Sequence, residues 1–448
     1  MAGHTLYQSI SGFAAGLTVL TVGCTVGWTT VALKKLRSNG SEIPISSSQG
    51  SWIASCHELG HIISPIPAGY ILGKIGPKKC MLISTIIVTI GWILIITTRS
   101  VPVLYLVRFL FGISMGTVFT VVPLYIAEIS NPEVRGALST GFETMLYLGH
   151  VIEFAIGPYV SYNTLALTSI TIPVGFLILS FWMVDSPYFL LKEGRYLEAR
   201  QTYSKLSGIN DDQEIINHLA GMEEHFENGK KSSLKDLFGS RVYFRSLLIV
   251  LVLAVVQRFS GMSAVVAYAS FIFPTTIGGL SSSEYTILFG VITLLFTFVS
   301  AALMDRAGRR ILTITSCFGS FIVEFLTALY FFLDQQSLVD TSHVTWLPFL
   351  TISMYAGFYS VGMGPVVTTI QGELFPPNVK GLASSIVAIV HGASSSLVTK
   401  SYQIVTDSFG VYVSFWLFSI NCLLGSIFAY FIMPETKGKT LLELHSRL

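Results

Sequence analysis

Apolar residues fall along this chain in runs of roughly 20, the length at which an α-helix crosses about 30 Å of hydrocarbon. About twelve such runs begin, near Gly12, Ser51, Cys80, Val101, Ala137, Leu165, Leu247, Tyr285, Ile311, Trp346, Leu382 and Val411. The first is too long for a signal peptide and has no cleavage pattern, so it is expected to be retained. Between the sixth and seventh runs lies one long polar stretch, about Lys192 to Arg245, including Leu191–Arg200 and Glu223–Lys231. It predicts short amphipathic helices at a membrane surface. The expected fold is an all-α membrane protein: an N-terminal six-helix half over 1–187, a helical linker over 188–243, a C-terminal six-helix half over 244–436 and a short tail over 437–448.

Composition agrees with the pattern. Of 448 residues 52% are hydrophobic and only 12% charged, and the mean hydropathy is +0.66. That is more apolar surface than one water-soluble core can bury. The lipid bilayer is therefore the first partner the sequence predicts. A net charge of +2 gives no nucleic-acid footprint. Five cysteines, an odd number without metal-like spacing, suggest no disulfide framework. There is no G-x-x-x-x-G-K-[ST] loop for ATP, and no cofactor is expected.

Where Lys and Arg fall sets the orientation. Twelve spans place both termini on one side, and most of the 27 Lys and Arg fall there too; only Lys34, Lys35, Arg37 and Arg99 lie in loops of the other side. The positive-inside rule makes the termini cytoplasmic. The first outer loop holds Asn39-Gly40-Ser41, a glycosylation acceptor sequence.

The two halves repeat. Glu128–Leu138 corresponds to Glu373–Ala383, Gly73–Lys79 to Met304–Arg310, and Asp185–Tyr188 to Glu435–Gly438, at offsets of similar size. Parallel six-helix repeats imply a substrate site near the midplane and alternating access by rocking of the halves. Acidic Glu128, Asp305, Glu373 and Glu435 lie near basic Arg135, Arg309, Arg310 and Lys380 at cytoplasmic helix ends, where they are expected to form a gating network. Each exposed pair contributes only about 0–1 kcal/mol. Such a network biases a nearly balanced equilibrium rather than locking it.

These residues resemble the sugar porter family of the major facilitator superfamily over essentially the whole chain. The resemblance is carried by Gly308-Arg309-Arg310, Arg108 with Gly112 and Gly116, Pro123–Glu128, Arg135-Gly136, Asp185-Ser186-Pro187, Gln257 with Ser260-Gly261, Gly364-Pro365, Glu373–Pro376 and Pro434–Gly438. Gly50–Ser55, where the second span begins, is most similar to the insect facilitated trehalose transporters. The resemblance implies a sugar cavity lined by the fifth, seventh, eighth, tenth and eleventh spans. Its positions fall here on Glu143, Gln257, Arg258, Ser263, Tyr268, Thr293, Thr368 and His391. Several depart from the family's usual amides and Trp: Glu143, Arg258, Ser263, Thr293, Thr368 and His391. Lys74 stands where an Asp is usual. Neutral amides both donate and accept, whereas Glu accepts and Arg donates, so the identity of the sugar is the point these changes bear on.

An ionisable side chain within a span costs roughly 2.5–3.5 kcal/mol on insertion scales, and Glu143 and Arg258 are expected to pair across the cavity. Glu143, Tyr147 and His150 share a helical face; Arg108 is expected to tie neighbouring helices. Thr25 occupies the approximate position of the Asp that titrates in proton-coupled members of the family, which favours uniport; Glu143 keeps proton coupling as the alternative. His57-Glu58-Leu59-Gly60-His61 matches the H-E-x-x-H zinc protease pattern, but a catalytic zinc needs a third protein ligand and no acidic partner motif accompanies it. The expectation is thus no enzyme and no metal, but a uniporter with a monomeric transport unit, carrying trehalose or a hexose across the plasma membrane. A non-transporting sugar sensor and a carrier of another polar solute are the remaining alternatives.

Overall fold

The computed structural model describes the backbone of residues 2–38, 40–130, 132–209, 211–227, 234–273, 276–277, 280–337, 339–341, 343–375 and 377–437. The first half contains α1 (Ala2–Leu36), α2 (Ser47–Ile63), α3 (Pro65–Ile75), α4 (Pro77–Thr97), α5 (Val101–Ile129), α6 (Pro132–Ile156), α7 (Tyr162–Ser169) and α8 (Thr171–Leu179). Four short helices follow as the linker: α9 (Pro187–Lys192), α10 (Tyr196–Ser207), α11 (Asp212–Glu227) and α12 (Leu234–Gly239). The second half contains α13 (Arg241–Phe259), α14 (Met262–Ile272), α15 (Ser282–Ala307), α16 (Arg309–Gln335), α17 (Leu347–Phe358), α18 (Gly364–Leu374), α19 (Pro377–Phe409) and α20 (Val411–Phe431). The all-α expectation needs one small amendment: Thr276–Ile277 pairs antiparallel with Leu280–Ser281 in the turn between α14 and α15.

Among the described residues, ten helical stretches are long and apolar enough to cross a membrane. The second and fifth predicted runs fall outside that set. The second is broken at Ser64-Pro65 into α2 and α3, and the side chains of the fifth, α6, are described only over 141–156. Burial is inverted where the bundle meets lipid: Ile83, Ile86, Ile90 and Ile93 form an exposed apolar stripe along α4, whereas His57, Glu58, Arg108 and Glu153 are buried. We call the end bearing α9–α12 the linker end and the opposite one the far end.

Local sequence explains where helices start and break. Ser46 with Gln49 and Ser281 with Glu284 form capping boxes at α2 and α15. The seventh span breaks at Gly261, which takes a left-handed φ of 91° between α13 and α14. The tenth breaks at a π-helical turn, Tyr359–Met363, just before Pro365. Proline has no N–H for the carbonyl four residues back, and Ser300 Oγ donates to that Val361 carbonyl at 3.3 Å. Broken helices are tolerated in a membrane where neighbours satisfy the freed backbone.

The sequence repeat has a backbone counterpart. Gly76 and Gly308, paired in the alignment of the halves, have nearly the same conformation (φ 83°, ψ 164° and φ 85°, ψ 157°), each capping the next helix. Each also packs against the segment that follows the last span of its half, Phe189 for Gly76 and Glu435 for Gly308. Although burial pushes the Glu435 carboxyl up, N–H groups of Lys437, Arg309, Arg310 and Thr436 hold it below the usual carboxylate range. A depressed folded-state pKa contributes stability that is present above the unfolded value and lost as pH falls through the folded one. Glu435→Gln is therefore expected to lower the melting temperature slightly at neutral pH, with the difference from wild type shrinking in acid. A difference that does not shrink would contradict this role.

Candidate functional site

Breaking α13 from α14 at Ser260-Gly261 leaves the last turn of α13 facing α19 and the start of α18. Gln257 Nε2 donates to the Gly364 carbonyl at 2.7 Å, and its Oε1 lies 3.0 Å from His391 Nε2. Arg258 Nε donates to the same His391 nitrogen at 2.6 Å, and its Nη1 donates to Ser263 Oγ at 3.1 Å. Ser263 Oγ is 2.8 Å from Ser395 Oγ on α19. Four predicted residues, Gln257, Arg258, Ser263 and His391, thus form one connected cluster. Sequence reasoning missed Ser395, and also Tyr355, whose hydroxyl is 2.9 Å from Ser260 Oγ. The His391 ring meets that of His61 edge-on at 6.2 Å, which carries the cluster to the first half. There Glu58 lies between His57 Nδ1 (3.8 Å) and His61 Nδ1 (3.6 Å). Among the described residues no group of three His, Cys, Asp or Glu side chains is arranged to hold a metal ion.

The expected Glu143–Arg258 ion pair is not formed. The two lie within electrostatic reach of each other, but among the described residues no ion pair joins them, because His391 and Ser263 hold the guanidinium. An acceptor-only Glu143 on one half and a donor-only Arg258 on the other therefore lie near each other without a direct ion pair among the described residues. Three other predicted residues stand apart from the cluster. Thr293 is buried and donates to its own helix at Phe289 O, 2.8 Å. Thr368 is exposed and donates to Pro365 O at 2.8 Å. Tyr268 is fully buried toward the far end and stacks on Tyr402 at 5.1 Å.

Arg108 ties helices together as expected, its Nε donating to Ile53 O at 3.0 Å and its Nη1 to Thr25 O at 2.5 Å. The Thr25 hydroxyl turns back to Val22 O at 2.7 Å.

At the far end the halves touch through polar contacts that the sequence did not reveal. Lys400 Nζ donates to Ser51 Oγ at 2.7 Å and sits over the Trp52 ring. Arg37 Nη2 donates to Gln403 Oε1 at 3.3 Å, and Ser47 Oγ donates to Asp407. Ser270 Oγ donates to Thr30 O at 3.1 Å. Each such contact contributes about 0.5–1.5 kcal/mol, so removing one shifts an equilibrium about 2- to 10-fold. Asp407→Ala with Lys400→Ala is expected to raise far-end labelling of Ser263→Cys severalfold over the background of the native cysteines; unchanged labelling would contradict closure by this latch.

At the linker end the predicted network is partly placed. Arg309 Nη2 and Glu373 form an ion pair at 2.9 Å, and the Arg310 guanidinium donates to Tyr430 O. Glu435 accepts from backbone N–H groups of Arg309 and Arg310 rather than from their guanidinium groups. These contacts stay within the second half. Glu128 lies against Ser186 within the first. Asn39 and the side chains of Arg135, Asp305 and Lys380 lie outside the described residues.

A bundle of apolar helices, broken around a polar cluster in its interior, defines a multi-pass membrane protein. The chain belongs to the sugar (and other) transporter family, whose family model matches residues 4–448. It is 29% identical over 443 residues to the facilitated trehalose transporter Tret1 of Bombyx mori, covering 98% of this chain and 86% of that one. The corresponding protein of Culex quinquefasciatus is 28% identical over 451 residues, covering 100% and 87%. The fold matches the inward-open xylose transporter XylE from E. coli with a TM-score of 0.82 at 20% identity, over 98% of this chain and 100% of that one. The proton:xylose symporter XylE bound to 6-bromo-6-deoxy-D-glucose matches at 0.79 and 21%, over 99% of each chain. These likenesses establish the major facilitator fold.

Proposed function

We propose that this chain is a facilitative uniporter that moves trehalose or a hexose down its gradient across the plasma membrane. The observation that carries the reading is the Gln257–Arg258–His391–Ser263 cluster, with Glu143 within electrostatic reach and in no ion pair among the described residues. A sugar hydroxyl accepts from Arg258 and donates to Glu143, so it bridges the two groups. In this reading the halves, 1–187 and 244–436, rock about that bridge. The far-end latch opens while the linker-end charges, Glu128, Arg135, Asp305, Arg309, Arg310, Glu373, Lys380 and Glu435, close. Tyr268, buried beneath the far end, swings out of the path when the latch opens.

Similarity to trehalose carriers of two insects supports the substrate class. Uniport is supported at Thr25. Beside Arg108 this position offers a carbonyl and a hydroxyl bonded to its own helix, neither of which takes up a proton near neutral pH. Lys and Arg placement supports cytoplasmic termini and linker, with Asn39 in the outer loop open to glycosylation. The second reading, proton-coupled symport, rests on Glu143, which has no ion-pair partner among the described residues and so is free to exchange a proton as the cavity opens.

A panel of labelled trehalose, glucose, fructose and a polyol, offered to cells with confirmed surface expression, tests the substrate class. Saturable uptake of a sugar is expected. Sugar binding without uptake would replace the transporter reading with that of a sensor, and neither binding nor uptake would point to another polar solute.

A further inference from the structure

A groove between α4 and α8 opens toward lipid at the linker end. Lys78, Leu82, Leu177, Ile178, Ser180 and Phe181 line it, and it encloses about 520 Å³. Ile178 and Phe181 are 54% and 84% exposed, and Trp182 beside them is 59% exposed. On spans whose outer faces carry apolar stripes, such a groove is filled by hydrocarbon. What distinguishes it is the cation at its mouth. Lys78 lies in the first turn of α4 and donates one N–H to Met183 O at 2.6 Å, so two of its three ammonium donors are left for another acceptor. Lys79 is adjacent and exposed, and Lys74 sits over the Tyr70 ring at 4.5 Å. Of the nearby acids, Glu128 lies against Ser186, and Asp185 lies near Tyr125, which is fully buried, and near Arg195. The mouth is thus positive, and it coincides with the N-terminus of α4, where the helix dipole also favours an anion.

We propose that this groove binds one anionic phospholipid, with an acyl chain along Leu82, Leu177 and Ile178 and the phosphate on Lys78. Trp182 sits at headgroup level, where indoles are favoured. Basic sites between spans at a membrane surface select anionic headgroups in this way. The ligand ties α4 to α8 within one half, away from the cluster around Arg258, so the site is separate from that for the transported solute.

The test is native mass spectrometry of the purified full chain in detergent with equal amounts of dioleoyl phosphatidylserine and dioleoyl phosphatidylcholine. One retained phosphatidylserine is expected, preferred about fivefold over phosphatidylcholine. Lys78→Gln and, independently, the groove-filling Leu177→Trp should each abolish the preference, while Lys78→Arg should keep it. Equal retention of the two lipids would overturn the proposal. So would a preference that survives both Lys78→Gln and Leu177→Trp, or a spectrum of lipid-free dimers showing that a second copy of the chain covers the groove. Since bound lipid and not uptake is read, failure here is distinguishable from failure of the sugar-transport reading.

Discussion

Gly112→Leu is expected to remove folded protein almost completely. Helices α2 and α5 pack with their backbones in contact: a Cβ added at Gly112 would meet His57 O at 1.8 Å, and one at Gly60 would meet Phe109 O at 2.1 Å. The obstruction is backbone, so no rotamer change relieves it. Inserting bulk into a packed core typically costs about 1–3 kcal/mol, and more where the backbone must move, against a total stability of about 5–15 kcal/mol. The same interface holds His57, Glu58 and Arg108, so separating the helices also exposes buried ionisable groups to hydrocarbon. Size-exclusion chromatography of detergent-solubilised protein checks this, with Gly69→Leu as the control because nothing lies within 4 Å of that position. A monodisperse Gly112→Leu protein at wild-type yield would contradict the packing described.

Arg258→Gln is expected to lower uptake about 10- to 100-fold while leaving the amount of folded protein near that of wild type. Hydrogen bonds to a charged partner contribute about 1.5–3 kcal/mol, and about 1.4 kcal/mol is tenfold in rate. The substitution removes the donors that His391 and Ser263 hold in place, but leaves the Gln257–Gly364 contact that fixes α13 on α18. Arg258→Lys should not rescue, because an ammonium cannot reproduce the fork that spans His391 and Ser263. Initial rates of labelled sugar uptake, normalised to surface protein, decide the matter; wild-type rates for Arg258→Gln would remove this cluster from the transport path.

Much of the architecture was legible in the chain because a bilayer imposes one strong rule, that a spanning helix needs about 20 apolar residues. The pairing of Gly76 with Gly308 was also readable, since a loop that needs a positive φ keeps glycine in both halves. The splitting of the second span at Ser64-Pro65 was signalled by proline, yet apolar content alone spoke for a continuous run. The site was half legible. Gln257, Arg258, Ser263 and His391 form one hydrogen-bonded cluster, whereas Thr293 and Thr368 turn to carbonyls of their own helices. A hydroxyl's choice between its own helix and a cavity depends on rotamer and neighbours. The Glu143–Arg258 pair was inferred from opposite charge, but His391 competes for the same guanidinium from a helix more than a hundred residues away in sequence. The far-end latch was invisible for a similar reason: Lys400 and Ser51, or Asp407 and Ser47, meet only once the halves assemble.

The most direct test of the account is counterflow of labelled trehalose and glucose in vesicles reconstituted with the purified chain, with and without a protonophore. Facilitated uniport predicts saturable exchange of at least one of these sugars at a rate that the protonophore does not change. Exchange of neither sugar by folded, reconstituted protein would contradict sugar uniport, and accumulation that collapses with the protonophore would contradict uniport while favouring proton coupling through Glu143.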